Sequence, residues 1–291
     1  MVHIQKKNYW ELFIIMYKIF LTVRNRLSIT KKCIHALYKH SDSKFQLYIY
    51  NNSTNYLIDE HFEYFRDLYK KNLISQITFN TDESTFHAFS KAASCNFFGM
   101  HHEQDPKKSA YDFLLFLDND IIVTKGFDSI LSRAWKDIKH HKMSNIHVIG
   151  QCPGGIKEAK VAPYKIAKRD SFIGKLGGSG FWSVYNTFFR DIGYLDLNLL
   201  VGLNKKHDIY YWQKMDKKNN GKEYILGLNE KLCIHTGKVA GSVCNVLTKN
   251  RHNNKKNELI KFKDQENFID KMTFEEFYNY IRNDKEMEKN W

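Results

Sequence analysis

The sequence lacks the cysteine spacings and the long apolar run that would assign it to several common protein classes. Its five cysteines are widely separated, with no C-x-x-C or zinc-ribbon pair, so we expect them to be reduced and mostly buried. No signal peptide is evident, and the apolar segment Leu12–Val23, interrupted by Lys18, is too short to span a bilayer. These absences predict a cytoplasmic protein, with peripheral association at the inner membrane face left open.

The chain also has no internal repeat, no long linker and no nucleic-acid-binding motif. Its formal charge of +13 favours phosphorylated substrates, an anionic membrane face or nucleic acid. The basic residues are scattered and form no stripe interleaved with aromatic side chains, which disfavours nucleic acid. A hydrophobic fraction of 43% over 291 residues is typical of a globular protein with a substantial core.

The first half of the chain alternates short apolar runs with amphipathic segments, which indicates strands followed by helices. The predicted strands are Lys18–Val23, Phe45–Tyr50, Ile74–Asn80 and the run that begins at Tyr111. The predicted helices are one capped by Ser28 or Thr30, then Ile58–Lys71 and Phe86–Met100. Such alternation predicts a parallel sheet with ligands bound beyond the carboxyl ends of its strands, where Arg24, Asn51 and Asp120 follow.

The second half is less regular. Strands are predicted from Phe181 and over Leu228–His235, with a helix that contains His207 and Asp208 between them. After about Thr248 the chain becomes rich in Lys, Asn and Glu. Helical patches there predict a C-terminal helical appendage with a solvated face, and docking to a partner or a membrane is the alternative. These patches are Phe262–Met272 and Phe274–Ile281.

The run from Tyr111 to Val123 is the most informative stretch, because an apolar strand there ends on Asp118-Asn119-Asp120. In an extended chain, residues two apart point to the same side, so both carboxylates can face one site. Two like charges beside apolar surface are costly, and a hard divalent cation offsets that cost. We interpret the pair as a clamp for a metal and a nucleotide. A D-x-D tripeptide also arises by chance or as a turn.

Taken in order, these residues resemble the GT-A glycosyltransferases, specifically the family 2-like enzymes that use nucleotide sugars. The resemblance covers roughly residues 19–241 and is carried by Thr22–Arg26, Tyr48–Ser53, Lys91, Asn96, Phe116–Asp120, Gly177–Trp182, His207-Asp208 and Cys233–Gly237. It implies a Rossmann-like, mostly parallel central sheet flanked by helices. Residues 1–248 would form the catalytic domain, with a donor-binding half at 17–125 and an acceptor-binding half at 126–248, and 249–291 the appendage.

The resemblance implies a role for each matching residue. The loop Thr22–Arg26 would hold the base and diphosphate of the donor, with Arg24 or Arg26 on phosphate. Asn51 stands where the family usually has an aspartate that reads the base, so the base stays open, with a UDP-sugar favoured. Further donor contacts are implied for Lys91, Asp118, Asn119, Gly178 and Trp182, the last as an apolar platform that is alternatively a core residue.

The remaining implied roles concern the metal and the acceptor. Asp120 would bind Mn²⁺ or Mg²⁺, with Asp118 and His235 as further ligands, although His235 is alternatively a half-buried residue at a strand end. Asp208 would remove the proton from the acceptor hydroxyl, and its alternative role is a helix cap. A base on the opposite face of the sugar predicts a single displacement with inversion at the anomeric carbon.

The sequence therefore predicts a metal-dependent, inverting glycosyltransferase acting on an unidentified glycan, lipid-linked or protein acceptor. Three alternatives stay open. A nucleotidyltransferase on a similar sheet would carry a Gly-rich, Lys-containing loop after the first strand, where this chain has Thr-Val-Arg-Asn-Arg. A catalytically degenerate GT-A domain would only bind a nucleotide or glycan. A retaining enzyme would give the opposite product anomer.

Overall fold

The computed structural model describes residues 16–53, 55–80, 87–150, 157–175, 180–196, 207–236, 264 and 266–283. The strands are β1 Met16–Val23, β2 Lys44–Asn51, β3 Gln76–Phe79, β4 Phe113–Asp118, β5 Ile121–Val123, β6 Val148–Gly150, β7 Lys157–Val161, β8 Ser171–Lys175, β9 Phe181–Tyr185, β10 Ile225–Leu228 and β11 Cys233–His235. The helices are α1 Leu27–His40, α2 Asn55–Lys70, α3 His87–Gln104, α4 Phe127–His140, α5 Phe188–Ile192, α6 His207–Lys218 and α7 Phe274–Asn283. The alternation predicted for the first half is confirmed.

The central sheet of the described residues has nine strands in the order β3-β2-β1-β4-β9-β6-β10-β8-β7. The pairings of β1 with β2 and β4, and of β2 with β3, are parallel. The antiparallel pairings of β9 and β8 with their neighbours leave those two strands running against the other seven. The sheet is thus mostly parallel, as predicted, and the carboxyl ends of β1 to β4 lie at one edge.

Strand alternation sends the side chains of this sheet into two cores. Ile19 and Ile49 join the core that includes the inner face of α1. Phe20 and Tyr48 join a second core with Phe98 of α3. Helices therefore cover both faces, which is what strands apolar on both sides require.

The apolar segment after Asp120 does not continue β4. The chain turns at Asn119 and Asp120, and β5 then leaves the central sheet to pair with β11 in a separate two-stranded sheet. The predicted strand Leu228–His235 is likewise divided into β10 and β11. Apolar residues on both sides of each turn concealed these breaks, because apolar runs alone do not report where a strand changes partner.

Helix α1 corrects one sequence interpretation. Neither Ser28 nor Thr30 caps α1, because the N-cap residue is Arg26 and no side chain bonds the first turn from that position. In α2, Phe65 is fully buried, whereas Phe62 and Tyr69 are 45% and 54% exposed.

The C-terminal segment, comprising the helical residues 266–271 and α7, packs into the main core. Ile269, Phe277 and Ile281 are almost completely buried in the cluster that contains β1 and β4. Lys39 of α1 also forms an ion pair with Glu275. The predicted helices are confirmed. The side of these helices that carries Ile269, Phe277 and Ile281 is buried in the main core and not solvated. The boundary at residue 248 stays a prediction.

Two predictions from composition can be compared with the described residues. Cys33, Cys95 and Cys233 are free and buried, as expected, while Cys152 and Cys244 lie outside the described part. Within that part, none of the helices combines the length and the apolar character needed to cross a membrane.

Candidate active site

Asp120 is the centre of the strongest polar cluster at the carboxyl edge of the sheet. Its side chain is about nine-tenths buried, and its Oδ2 lies 3.4 Å from Arg26 Nη1 and 3.5 Å from His235 Nε2. Three segments that are far apart in sequence, which bear Asp120, Arg26 and His235, therefore meet at this carboxylate. The cluster holds a negative charge between two nitrogen-bearing side chains.

The position of His235 follows from the pairing of β5 with β11. These strands are antiparallel, with His235 opposite Ile121, so the histidine lies beside the residue that follows Asp120. Thr236 completes the junction, because its backbone N–H and its hydroxyl both donate to the Asp120 carbonyl, at 2.9 and 3.1 Å. The histidine is thus held at the site by backbone bonds.

Arg26 is presented by a strained loop between β1 and α1. Asn25 and Arg26 both have positive φ, at 53° and 54°, which is uncommon for residues other than glycine. Asn119 Nδ2 holds the loop by donating to the Asn25 carbonyl at 3.1 Å and to Thr30 Oγ1 at 2.8 Å. The Thr30 hydroxyl in turn donates to the Arg26 carbonyl at 2.9 Å. Strain that its surroundings hold in place is typical of functional loops.

The structure gives Asn119 a different role from the one predicted. Both hydrogens of its side-chain amide are engaged within the protein, by Asn25 and Thr30. Asn119 is also only 4% exposed, so its amide nitrogen has no hydrogen left for a donor substrate. We therefore assign it to positioning the β1–α1 loop.

Asp118 and Asp120 are not related by strand alternation, because β4 ends at Asp118 and a turn follows. The assumption that an extended chain aims both carboxylates the same way is therefore wrong. The backbone N–H of Asp118 donates to the Gly180 carbonyl at 2.9 Å, and a Cβ on Gly180 would lie 3.5 Å from Asp118 Oδ2. The same Cβ would lie closer to Ile121 Cδ1, at 3.2 Å.

The metal prediction is supported by the type of ligands and not by their arrangement. Carboxylate oxygens and imidazole nitrogen suit Mn²⁺ or Mg²⁺. In the described part of the chain, however, no three His, Cys, Asp or Glu side chains are grouped to hold a metal ion. Burial, followed by the charges of Asp120 and Asp118, raises the pKa of the Cys33 thiol, so both carboxylates act on one small region.

A carboxylate from the C-terminal segment reaches this region from the far end of the chain. Glu266 Oε2 accepts a hydrogen bond of 2.9 Å from the backbone N–H of Ser28, in the first turn of α1. Burial raises the pKa of the Glu266 carboxyl, while the Ser28 bonds and the positive charge of Arg26 lower it by less. An acid at the positive end of a helix is electrostatically favourable.

The end of β2 carries a second polar cluster. Asn51 is fully buried, and its Oδ1 accepts a 2.6 Å hydrogen bond from the Ser53 hydroxyl. Ser53 Oγ itself accepts from the Asn25 backbone N–H at 3.0 Å, which connects this cluster to the strained loop. The side-chain Oδ1 of the next residue, Asn52, accepts a hydrogen bond from Asn80 Nδ2 at 2.8 Å.

Trp182 does not provide the predicted platform. It is 2% exposed, its ring stacks on Phe116 with centroids 4.6 Å apart, and Phe188 and Tyr211 pack around it. An indole enclosed by aromatic rings has no face left for a sugar. The alternative, that Trp182 is a core residue, is confirmed.

Other predicted residues are placed in part or fall outside the described part. Thr22 is half-buried, and its hydroxyl lies 2.9 Å from that of Ser94, on the α3 side of the sheet. Arg24 is half-buried in the β1–α1 loop. Gly178 and the side chains of Lys91 and Asp208 lie outside the described residues, although the backbone of Asp208 is in the first turn of α6.

Sequence reasoning missed Ser53, Thr30 and Glu266 as contributors to this site. Ser53 lay within the motif that carried the resemblance, so its position in the Asn-Asn-Ser turn was the available signal. Thr30 was interpreted only as a cap. Glu266 had no signal, since its partner Ser28 is 238 residues earlier in the chain.

No family model and no curated protein matches the chain. Several solved structures do. A mannosyltransferase, PcManGT from Pyrobaculum calidifontis, solved with GDP-Man and Mn²⁺, gives a TM-score of 0.51 at 8% identity, covering 87% of this chain and 69% of that one. TarS from S. aureus gives a TM-score of 0.47 at 14% identity, covering 86% of this chain and 43% of that one.

These likenesses concern the fold. The chain has the GT-A glycosyltransferase fold, as the sequence predicted, and spans less than half of that TarS chain, at 43%. A TarS fragment solved with UDP-GlcNAc gives a TM-score of 0.45 at 14% identity, covering 75% of this chain and 57% of that one. At such identities the sugar, base and acceptor do not transfer to this chain.

Proposed function

We propose that the protein transfers a sugar from a nucleoside-diphosphate sugar to an acceptor hydroxyl. The observation that carries the proposal is the meeting of Asp120, Arg26 and His235 at the carboxyl ends of parallel strands. Open α/β sheets bind their ligands at this edge. A guanidinium in a strained, buried loop is suited to bind phosphate, because it offers several donors in a fixed geometry.

The reaction requires the negative charge that develops on the departing diphosphate to be stabilised and the proton of the acceptor hydroxyl to be removed. As the bond between the anomeric carbon and the β-phosphate oxygen breaks, the bonding electrons pass to the departing nucleoside diphosphate. Arg26 stabilises that developing charge, with Arg24 as a second cation on the same loop. His235 adds a ring nitrogen that can donate a hydrogen bond.

Asp118, Asp120 and His235 are the residues that would hold Mn²⁺ or Mg²⁺. Such an ion would supply further positive charge for the leaving diphosphate. Arg26 Nη1 lies 3.4 Å from Asp120 Oδ2 in this structure. The guanidinium therefore already offsets part of the negative charge that would attract a cation.

Asp208 is proposed as the base that takes the proton of the acceptor hydroxyl. The resemblance supports this role, and the backbone of Asp208 lies in the first turn of α6. The acceptor oxygen then bonds to the anomeric carbon as the diphosphate leaves. One displacement of this kind inverts the anomeric centre.

The test compares the wild type with Asp120→Ala and Asp208→Asn. Asp112→Ala is the matched control, because Asp112 is an exposed aspartate just before β4, at the opposite edge of the sheet. The assay is nucleoside-diphosphate release from UDP-, GDP-, CDP- and ADP-sugars with and without Mn²⁺, alongside thermal stabilisation by each nucleotide. A ligand at 100 times its Kd stabilises by about 2.7 kcal/mol.

The expected result separates the roles. Asp120→Ala should lose both turnover and metal-dependent stabilisation, by about 100-fold or more in rate. Asp208→Asn should retain nucleotide binding and lose turnover, and Asp112→Ala should match the wild type. If all proteins are inert but still bind nucleotide, the chain is a binding module. If the wild type binds no nucleotide, the proposal is wrong. NMR of the product anomer tests inversion.

A further inference from the structure

Helix α1 begins without a cap from its own first residues. Its N-cap residue is Arg26, which makes no side-chain bond to the first turn. A guanidinium has no acceptor atom, so it cannot bond the backbone N–H groups that lack a partner at the start of a helix. The N–H of Ser28 is one of these groups, and Ser28 is only 2% exposed. A buried N–H of this kind needs an acceptor from elsewhere in the chain.

Glu266 of the C-terminal segment supplies that acceptor. Its Oε2 accepts the Ser28 N–H at 2.9 Å, across 238 positions of sequence. The Glu266 carboxylate is also close enough to Arg26 for the two opposite charges to attract each other. It therefore lies at the junction between α1 and the loop that presents Arg26 to Asp120.

The β1–α1 loop requires such restraints because its backbone is strained. Asn25 and Arg26 have positive φ, at 53° and 54°. Strained residues persist only where their surroundings hold them. Asn119 holds the loop at Asn25, on one side of Arg26, and Glu266 holds the chain at Ser28, on the other side. Arg26 is thus fixed between two anchored positions.

The C-terminal segment runs along α1 in the same direction as that helix. Its core residues Ile269, Phe277 and Ile281 are at most 1% exposed, so apolar packing anchors the segment without any contribution from Glu266. Contacts of this segment with α1 fall on successive turns of the helix: Glu266 with Ser28, Asp270 with Lys31, Phe274 with His35 and Glu275 with Lys39. This packing places Glu266 at the end of α1 that bears Arg26.

We propose that Glu266 is a positioning residue for donor binding, because its bond to Ser28 holds the β1–α1 loop in the conformation that directs Arg26 at the diphosphate. Glu266 acts through Arg26 and not by contact with the donor. This inference rests on the proposed function, in which Arg26 binds the diphosphate. Without the bond to Ser28, the loop would populate other conformations. The apparent Kd rises as the fraction of protein in the binding conformation falls.

Substitutions at Glu266 separate the reach of its oxygen atoms from its charge. Glu266→Gln keeps an acceptor at the same reach and removes the charge. Glu266→Asp keeps the charge and withdraws both oxygens by one methylene, and Glu266→Ala removes the carboxylate altogether. Asp270→Ala is the matched control, because Asp270 lies one turn further along the same segment and pairs with Lys31 at the surface.

The first measurement is the Kd of UDP, GDP, CDP and ADP with Mn²⁺, by calorimetry. For the nucleotide that binds most tightly, Glu266→Ala and Glu266→Asp should weaken binding about tenfold, the typical effect of losing a helix cap. Glu266→Gln and Asp270→Ala should match the wild type. Unchanged affinity in Glu266→Ala and Glu266→Asp, or Glu266→Gln as weak as Glu266→Ala, overturns the inference. A wild type that binds none of the four instead contradicts the proposed function.

The second measurement requires no nucleotide. Amide hydrogen exchange over residues 24–30 reports on the loop, and exchange over Phe274–Asn283 reports on the docking of α7. In Glu266→Ala, or in Glu266→Asp if the alanine variant folds poorly, exchange over 24–30 should become about tenfold faster and exchange over α7 should stay unchanged. Equal acceleration in both regions, which indicates a merely structural role, or no acceleration over 24–30, overturns the inference.

Discussion

Replacing Phe277 with alanine tests whether the C-terminal helix belongs to the main core. Phe277 is fully buried in the cluster that contains β1 and β4. Truncating a buried phenylalanine removes its transfer free energy and leaves a cavity, which costs about 3–5 kcal/mol. For a chain of this size the melting temperature should fall by about 6–15 °C.

The assay is thermal and urea unfolding followed by two probes, far-ultraviolet circular dichroism and tryptophan fluorescence. Tyr280→Ala is the control, because Tyr280 lies on the same helix but is 42% exposed, so its loss should change stability by less than about 0.5 kcal/mol. Both variants should unfold in one transition. A separate early transition in Phe277→Ala, or a loss no larger than that of Tyr280→Ala, would refute the assignment of this helix to the core.

Two predictions concern buried charges. The folded-state pKa of Glu266 is raised by burial, so its contribution to stability is fully present below about pH 4.5 and is lost as pH rises through the folded pKa. Urea unfolding measured across pH should therefore show the free energy of unfolding of Glu266→Gln rising relative to that of the wild type above about pH 4.5. A difference between the two proteins that does not change with pH would contradict this. Lys18 is 0% exposed and bonds Asp105 at 2.6 Å, so Asp105→Asn should leave a buried ammonium and cost about 3 kcal/mol. Lys18→Met/Asp105→Asn should recover much of that loss in the same assay, and a double variant no more stable than the single would count against it.

The strands and helices of the first half could be predicted because the information was local. Apolar runs with Phe, Leu and Ile predicted β1 to β4, and the polar residues after each run predicted which side chains share an edge. Parallel strands bring their carboxyl ends together, so Arg24, Asn51 and Asp120 were expected at one edge of the sheet. In the structure, β1, β2 and β4 are parallel neighbours whose carboxyl ends carry or precede these residues.

The roles of Trp182 and Asn119 could not be predicted, because burial and hydrogen bonding depend on what packs around a residue. The resemblance implied an apolar platform at Trp182, with a core residue as the alternative, and Phe116 covers the ring. The resemblance also implied a donor contact at Asn119, whose amide holds the loop at Asn25. The spacing of residues in the sequence does not show which neighbours will bury a side chain or use its hydrogen-bonding groups.

The sequence by itself determined the alternation of strands and helices, and with it the edge of the sheet where polar residues collect. These features arise from side-chain periodicity, which is a property of neighbouring residues. Only the tertiary structure decided that Glu266 reaches Ser28, that β11 carries His235 to Asp120, and that the Ser53 hydroxyl donates to Asn51. The first two of these contacts join residues more than a hundred positions apart, and the third depends on which partner satisfies each polar atom. Packing decides the long-range contacts, and competition between hydrogen-bond partners decides the third. A linear pattern of residues shows neither packing nor this competition.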